Sequence, residues 1–178
     1  KEFIKRNGEF TVNIALIENG YPVAGVVHAP VLDVTYFASC GLGARKQVSD
    51  QPSQPMRCSG PASGQPWRVV GSRSHAGDSL AAFLVRLGDH TLVSMGSSLK
   101  FCLVAEGNAD LYPRLGPTSL WDTAAAQCVV EQAGGQVLQL DGKRLCYANP
   151  SVTLNPSFIV TAPTSIDWRS YFPGEQPH

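Results

Sequence analysis

Residues 49–66 separate two different rhythms of apolar residues, and that separation constrains the fold more than any other feature. The segment holds four prolines among Ser, Gln and Gly, and it reads as a linker or long surface loop at a domain boundary. Before it, apolar residues recur at every second position. Phe10, Val12, Ile14 and Leu16 share one face of the stretch Glu9 to Glu18, which predicts a half-buried strand with that face turned inward. Asn19-Gly20 is a strong hairpin turn. Val23 to His28 reads as the returning strand, stopped by Pro30, and Val31 to Ser39 as a third. Residues 1–48 are therefore expected to form antiparallel strands of an amino-terminal domain.

After the segment, strands alternate with helices. Trp67–Val70, Thr91–Ser94, Asp110–Tyr112, Gln136–Leu140 and Phe158–Thr161 read as strands. Ala76–Leu87 and Ser97–Glu106 read as helices, each closed by a glycine. A further helix is expected from Ser119, an N-cap residue, through Ala124, Ala125 and Ala126 to the pair Gly134-Gly135. This pattern predicts an α/β layer with a mixed or parallel sheet over residues 67–178. The chain as a whole is thus α/β in its second part and α+β overall.

The formal net charge is zero, which argues against a nucleic-acid polymer as partner. The five cysteines show no Cys-x-x-Cys or metal-ligand spacing, and they read as reduced, mostly structural thiols of a cytoplasmic protein. No apolar run is long enough to span a membrane.

Two loops could hold a phosphate, and Arg114 is a third cationic candidate. In Gly71-Ser72-Arg73-Ser74-His75, hydroxyls, a guanidinium and an imidazole converge between a strand and a helix. The same residues also suit a capped surface loop, with Ser74 as N-cap and His75 exposed. In Gly96-Ser97-Ser98-Leu99-Lys100, a lysine in the first turn of a helix opposes the macrodipole, a conflict that a bound anion would relieve; the alternative is a solvated lysine. Arg114 lies between Pro113 and Pro117, either as a phosphate ligand or as an ordinary exposed arginine. Asp122, three residues after Ser119, either completes a capping box or points outward toward a metal ion. His28 and His90 lack a nucleophile–acid partner pattern and read as structural or exposed. No catalytic acid, base or nucleophile is assigned.

Taken together, these residues resemble the lithium-sensitive, magnesium-dependent phosphatases of the inositol monophosphatase superfamily. Trp121-Asp122-Thr123-Ala124-Ala125, followed by Ala133-Gly134-Gly135, is similar to that family's carboxyl-terminal signature. Within it, residues Lys1 to Leu16, Ser72-Arg73-Ser74-His75, Gly96 to Gly107 and Leu111-Tyr112-Pro113-Arg114 resemble the bacterial 3′(2′),5′-bisphosphate nucleotidases, the CysQ group. The resemblance extends to about Ala162. It implies the layered αβαβα sugar-phosphatase fold, present here in incomplete form. It also implies hydrolysis of the 3′-phosphate of 3′-phosphoadenosine 5′-phosphate, or of its 5′-phosphosulfate analogue, in sulfur assimilation, by a cytoplasmic protein or one peripheral to the inner membrane. Asp122 would bind Mg2+. Ser72, Ser74, His75, Gly96, Ser97, Lys100 and Arg114 would bind the nucleotide together with Asp122. The family's Asp-Pro-x-Asp-Gly-Thr motif would directly precede Lys1, with an acidic pair further upstream. The chain is therefore expected to lack most metal ligands, to pair with a missing amino-terminal segment, and to be inactive alone. An inositol-phosphate phosphatase, a non-catalytic nucleotide-binding module and an inactive remnant with exposed strand edges remain as alternatives.

Overall fold

The computed structural model describes residues 8–71, 78–149 and 151–172. The first sheet is an antiparallel meander of five strands in sequence order: β1 Val12–Glu18, β2 Tyr21–Ala29, β3 Val34–Ser39, β4 Gly43–Val48 and β5 Gln54–Met56. Asn19 and Gly20 both take positive φ, 52° and 82°, as the turn between β1 and β2 requires. The segment 49–66 is not a free linker. It supplies β5, buries Met56, and continues across the next layer, where the Cys58 amide donates to Ala133 O at 2.9 Å.

The second sheet comprises β6 Trp67–Gly71, β7 His90–Ser94, β8 Leu111–Arg114, β9 Gln136–Gln139 and β10 Phe158–Thr161, in the order β7-β6-β8-β10-β9. β6 runs parallel to both β7 and β8, while β10 is antiparallel to β8 and β9. The described helices are α1 Asp78–Leu87, α2 Leu99–Ala105 and α3 Ala124–Gln132.

The layers run sheet, helices, sheet, helix. α2 and α3 lie between the two sheets, where Val27, Ala29 and Tyr36 of the first sheet share one core with Val70, Tyr112, Phe158 and Val160 of the second. On the second sheet's other face, Val69, Leu111 and Ile159 pack with Leu80 and Phe83 of α1 and with Trp168. Alternate residues of β6, β8 and β10 thus serve opposite cores, as in a sheet covered on both sides.

The alanines of α3 follow from its position. Every residue from Ala124 to Val130 is buried, and the first sheet approaches so closely that a Cβ on Gly25 would stand 2.4 Å from Ala125 O. Only small side chains permit that approach. At the helix end Gly134 takes φ +92°, and the Gly135 amide donates to Val130 O at 2.9 Å, as a left-handed helix cap requires.

Two expectations change. β1 alternates as predicted but with its faces reversed: Val12, Ile14 and Leu16 are 51%, 66% and 63% exposed, while Ala15 packs inward. The close contact with α3 selects the small residues Ala15 and Gly25, so the bulky ones turn outward. Arg114 also ends β8 and does not lie free in a proline loop.

Candidate functional site

β6, β7 and β8 are adjacent and parallel, so their carboxyl ends meet at one sheet edge. Gly71 leads from that edge into residues 72–77, Ser94 into the Gly96–Lys100 segment, and Arg114 into the loop that reaches Asp122. Ligands of open α/β sheets bind outside the carboxyl ends of strands. Ser72, Ser74 and His75 lie outside the described residues. The strand ends Gly71, Ser94 and Arg114 nonetheless lie at one edge, a relation that spacing could not reveal.

Asp122 ends a 3-10 turn, Leu120–Asp122, that stands ahead of α3. It therefore does not lie in the first turn of the α-helix, and no capping box forms: Ser119 and Thr123, at the two N-cap positions, make no side-chain cap bond. A buried polar network holds the turn instead. Asn155 Nδ2 lies 3.0 Å from each of Thr118 O, Ser119 O and Thr123 Oγ1. The Tyr147 hydroxyl is 3.0 Å from Thr123 Oγ1 and 2.7 Å from Gln127 Oε1. Gln127 Nε2 donates to Leu145 O and to Glu131 Oε1, both at 2.9 Å, and Arg144 pairs with Glu131. From the other side Ser98 Oγ donates to Asp122 O at 2.9 Å. Asn155, Tyr147 and Gln127 escape a reading of the sequence. Their only signal was polarity beside apolar segments, and the partners lie up to 37 residues apart.

Ser97 takes φ +50°, a left-handed conformation unfavourable for a residue with a Cβ and common at functional sites. Its hydroxyl is 2.6 Å from Thr11 Oγ1. Lys100 is 8% exposed, which overturns the solvated alternative. Its ammonium donates to Ser97 O at 3.0 Å and lies 5.7 Å from the centre of the Tyr112 ring. Arg114 is braced by its own loop, with Nε donating to Thr118 Oγ1 at 2.5 Å and Nη2 to Pro117 O at 2.8 Å.

Among the described residues, no hydrogen bond or ion pair takes up the Asp122 carboxylate. Partial burial pushes its pKa above the ordinary value, while the charges of Arg114 and Lys100 pull it down. A carboxylate with no hydrogen-bond or ion-pair partner among the described residues, on which the charges of Arg114 and Lys100 act, suits a ligand set in which a metal and a phosphate complete one another. Magnesium accepts such a set, with one or two carboxylates, waters and substrate phosphates. Asp122 supplies one ligand only. Among the described residues, no three His, Cys, Asp or Glu side chains cluster to hold a metal by themselves.

His28 bonds to Thr35, and His90, at the amino end of β7, to Gly88 O. All five cysteines are free, with Cys102 and Cys128 buried. No helix of the described residues is long and apolar enough to cross a membrane.

Comparison with known proteins gives a consistent result. Residues 1–166 match the inositol monophosphatase family. The chain is 53% identical to a 3′(2′),5′-bisphosphate nucleotidase CysQ of Salmonella typhimurium and 51% identical to one of Escherichia coli; each alignment covers 90% of this chain and 63% of the relative. A crystal structure of CysQ from Bacteroides thetaiotaomicron, described as a bacterial member of the inositol monophosphatase family, superposes with a TM-score of 0.80 at 43% identity, over 91% of this chain and 66% of that one. The chain thus spans less than two thirds of the length of these curated relatives.

Proposed function

The chain belongs to the inositol monophosphatase family and has its fold, and we propose that it carries part of a magnesium-dependent 3′(2′),5′-bisphosphate nucleotidase. The substrate is 3′-phosphoadenosine 5′-phosphate, cleaved to AMP and phosphate in sulfur assimilation. The observation that carries this reading is the Asp122 carboxylate, without a partner among the described residues and under the charges of Lys100 and Arg114, at the edge where three parallel strands end. The nucleotidase relatives at 53% and 51% identity favour a nucleotide over an inositol phosphate.

In this reading Asp122 holds one Mg2+ from a turn that the Asn155 network keeps rigid. When bound, the ion supplies Lewis-acid stabilisation of charge on the phosphoryl oxygens. Lys100, fixed over Tyr112, offers a point charge to one phosphate, and Arg114 offers a planar fork to the other. Ser97 and Gly96 shape the approach of the nucleotide, and Ser72, Ser74 and His75 complete the pocket. The remaining metal ligands come from the part of the relatives that this chain does not span. That part also covers the apolar outer face of the first sheet, and the 178-residue chain alone does not turn over.

The test measures phosphate release from 3′-phosphoadenosine 5′-phosphate and from inositol 1-phosphate. It uses the chain alone and the chain fused to the unspanned part of the Salmonella relative. The fusion is expected to release phosphate from the nucleotide, to require magnesium, and to lose at least about 10²-fold in rate with Asp122→Asn, the scale of losing one charge-stabilising group. Preference for inositol 1-phosphate would favour a sugar phosphatase. Tight nucleotide binding by the fusion without turnover would favour a binding module.

A further inference from the structure

Two serines meet where the second sheet passes into α2, and neither spends its hydroxyl on the helix. Ser98 stands at the N-cap position, where a hydroxyl ordinarily accepts from the first free amides, but it makes no side-chain cap bond. Its Oγ donates instead to Asp122 O at 2.9 Å. Ser97 Oγ lies 2.6 Å from the hydroxyl of Thr11, 86 residues away in sequence and just ahead of β1. The two hydroxyls thus tie the start of α2 to the Asp122 turn on one side and to the first sheet on the other.

Ser97 takes φ +50°, a conformation that its Cβ disfavours and that a glycine would adopt freely. The strain therefore falls on the residue whose hydroxyl meets Thr11. Ser97 O accepts from the Lys100 ammonium at 3.0 Å, and Met95 O lies 3.4 Å from the same nitrogen. Lys100 is buried, and a buried cation needs such acceptors. The direction of Ser97 O follows from the backbone angles of this turn, and Thr11 holds the turn from outside the loop.

We propose that Thr11 is a positioning residue for the phosphate-holding edge: its hydroxyl holds Ser97 left-handed, and Ser97 O thereby fixes the Lys100 ammonium. This role rests on the reading of Lys100 as a phosphate ligand, and Thr11 acts through Ser97 without touching substrate.

The test compares the 178-residue chain with Thr11→Val, Thr11→Ser and the double variant Thr11→Val/Ser97→Gly. Each is treated with formaldehyde and cyanoborohydride, and methylation of each lysine is followed by peptide mass spectrometry, with the exposed Lys143 as internal standard. Thr11→Val is expected to speed methylation of Lys100 about fivefold relative to Lys143, the scale of one lost hydrogen bond. Thr11→Ser keeps the hydroxyl, and the glycine of the double variant takes a positive φ unaided, so both are expected to stay near the parent rate. An unchanged Lys100 rate in Thr11→Val would overturn the role, as would an equal rise in the double variant. So would an equal rise at Lys46, whose pair with Glu106 reports general loosening. In calorimetric titration with 3′-phosphoadenosine 5′-phosphate and magnesium, Thr11→Val is expected to bind about fivefold more weakly and Thr11→Ser like the parent. Equal affinity of all three would overturn the link to the edge. A parent chain that binds no nucleotide would sink the phosphate-holding reading and the positioning role with it, while the Lys100 rates would still decide whether the Thr11 bridge fixes the lysine.

Discussion

At the scale of residues, Asp122 is held against its own stability. Burial raises its pKa above the ordinary 3.8 even with Arg114 and Lys100 near. Its stabilising contribution is therefore full below the unfolded pKa and lost as pH rises through the folded one. Asp122→Asn is expected to be at least as stable as the parent at neutral pH, with the difference vanishing toward about pH 4, as thermal melts at the two pH values would show. Asp110 is held by its hydrogen bonds. It is fully buried and accepts from the Arg68 backbone N–H, Nε and Nη2, at 2.7, 3.1 and 2.6 Å. Asp110→Ala removes the acceptor of the Arg68 backbone N–H and leaves the half-exposed guanidinium to water, and is expected to cost about 1–3 kcal/mol in urea unfolding. The sequence pointed to Asp122, because a lone acid before an alanine-rich helix stands out. It did not show the burial of Lys100, since a lysine in a first turn looks the same whether it is solvated or folded over a tyrosine 12 residues away.

At the scale of elements, α3 and the two sheets fit through missing side chains. A Cβ on Gly135 would stand 2.7 Å from Cys58 Sγ, 2.8 Å from Val130 Cγ1 and 2.9 Å from Thr161 O. Gly25 faces the backbone of Ala125, which cannot swing aside. Both Gly→Ala changes are expected to destabilise, by about 1–3 kcal/mol for overpacking at Gly135 and by more at Gly25. Chemical denaturation of the two variants would rank them. Most elements of the second sheet were legible, because strand and helix spacings follow one another there; Phe158–Thr161 was read with the bounds that the structure has. The orientation of β1 was not legible. Alternation fixes which residues share a face, but the layer that receives the face lies more than 100 residues away in sequence. The strand β5 escaped for a similar reason: a proline-rich segment of three paired residues has no period to read.

At the scale of the whole molecule, one broad face has no cover among the described residues. Val12, Ile14, Leu16 and Val26 are exposed on the outer side of the first sheet, with Ile14 opposite Val26 in register. Contiguous apolar surface of this kind marks an interaction site or drives association. The isolated chain is expected to self-associate, and Ile14→Glu with Leu16→Lys to reduce that association without loss of fold, as sedimentation and circular dichroism would show together. The central claim concerns the strand edge with Lys100, Arg114 and Asp122, and calorimetric titration of the 178-residue chain with 3′-phosphoadenosine 5′-phosphate in the presence of magnesium tests it most directly. Saturable binding that weakens about tenfold or more in both Lys100→Met and Arg114→Met, the scale of a charge-assisted contact, is the expected result. Absence of saturable binding, or binding indifferent to both substitutions, would contradict a phosphate-holding role for that edge.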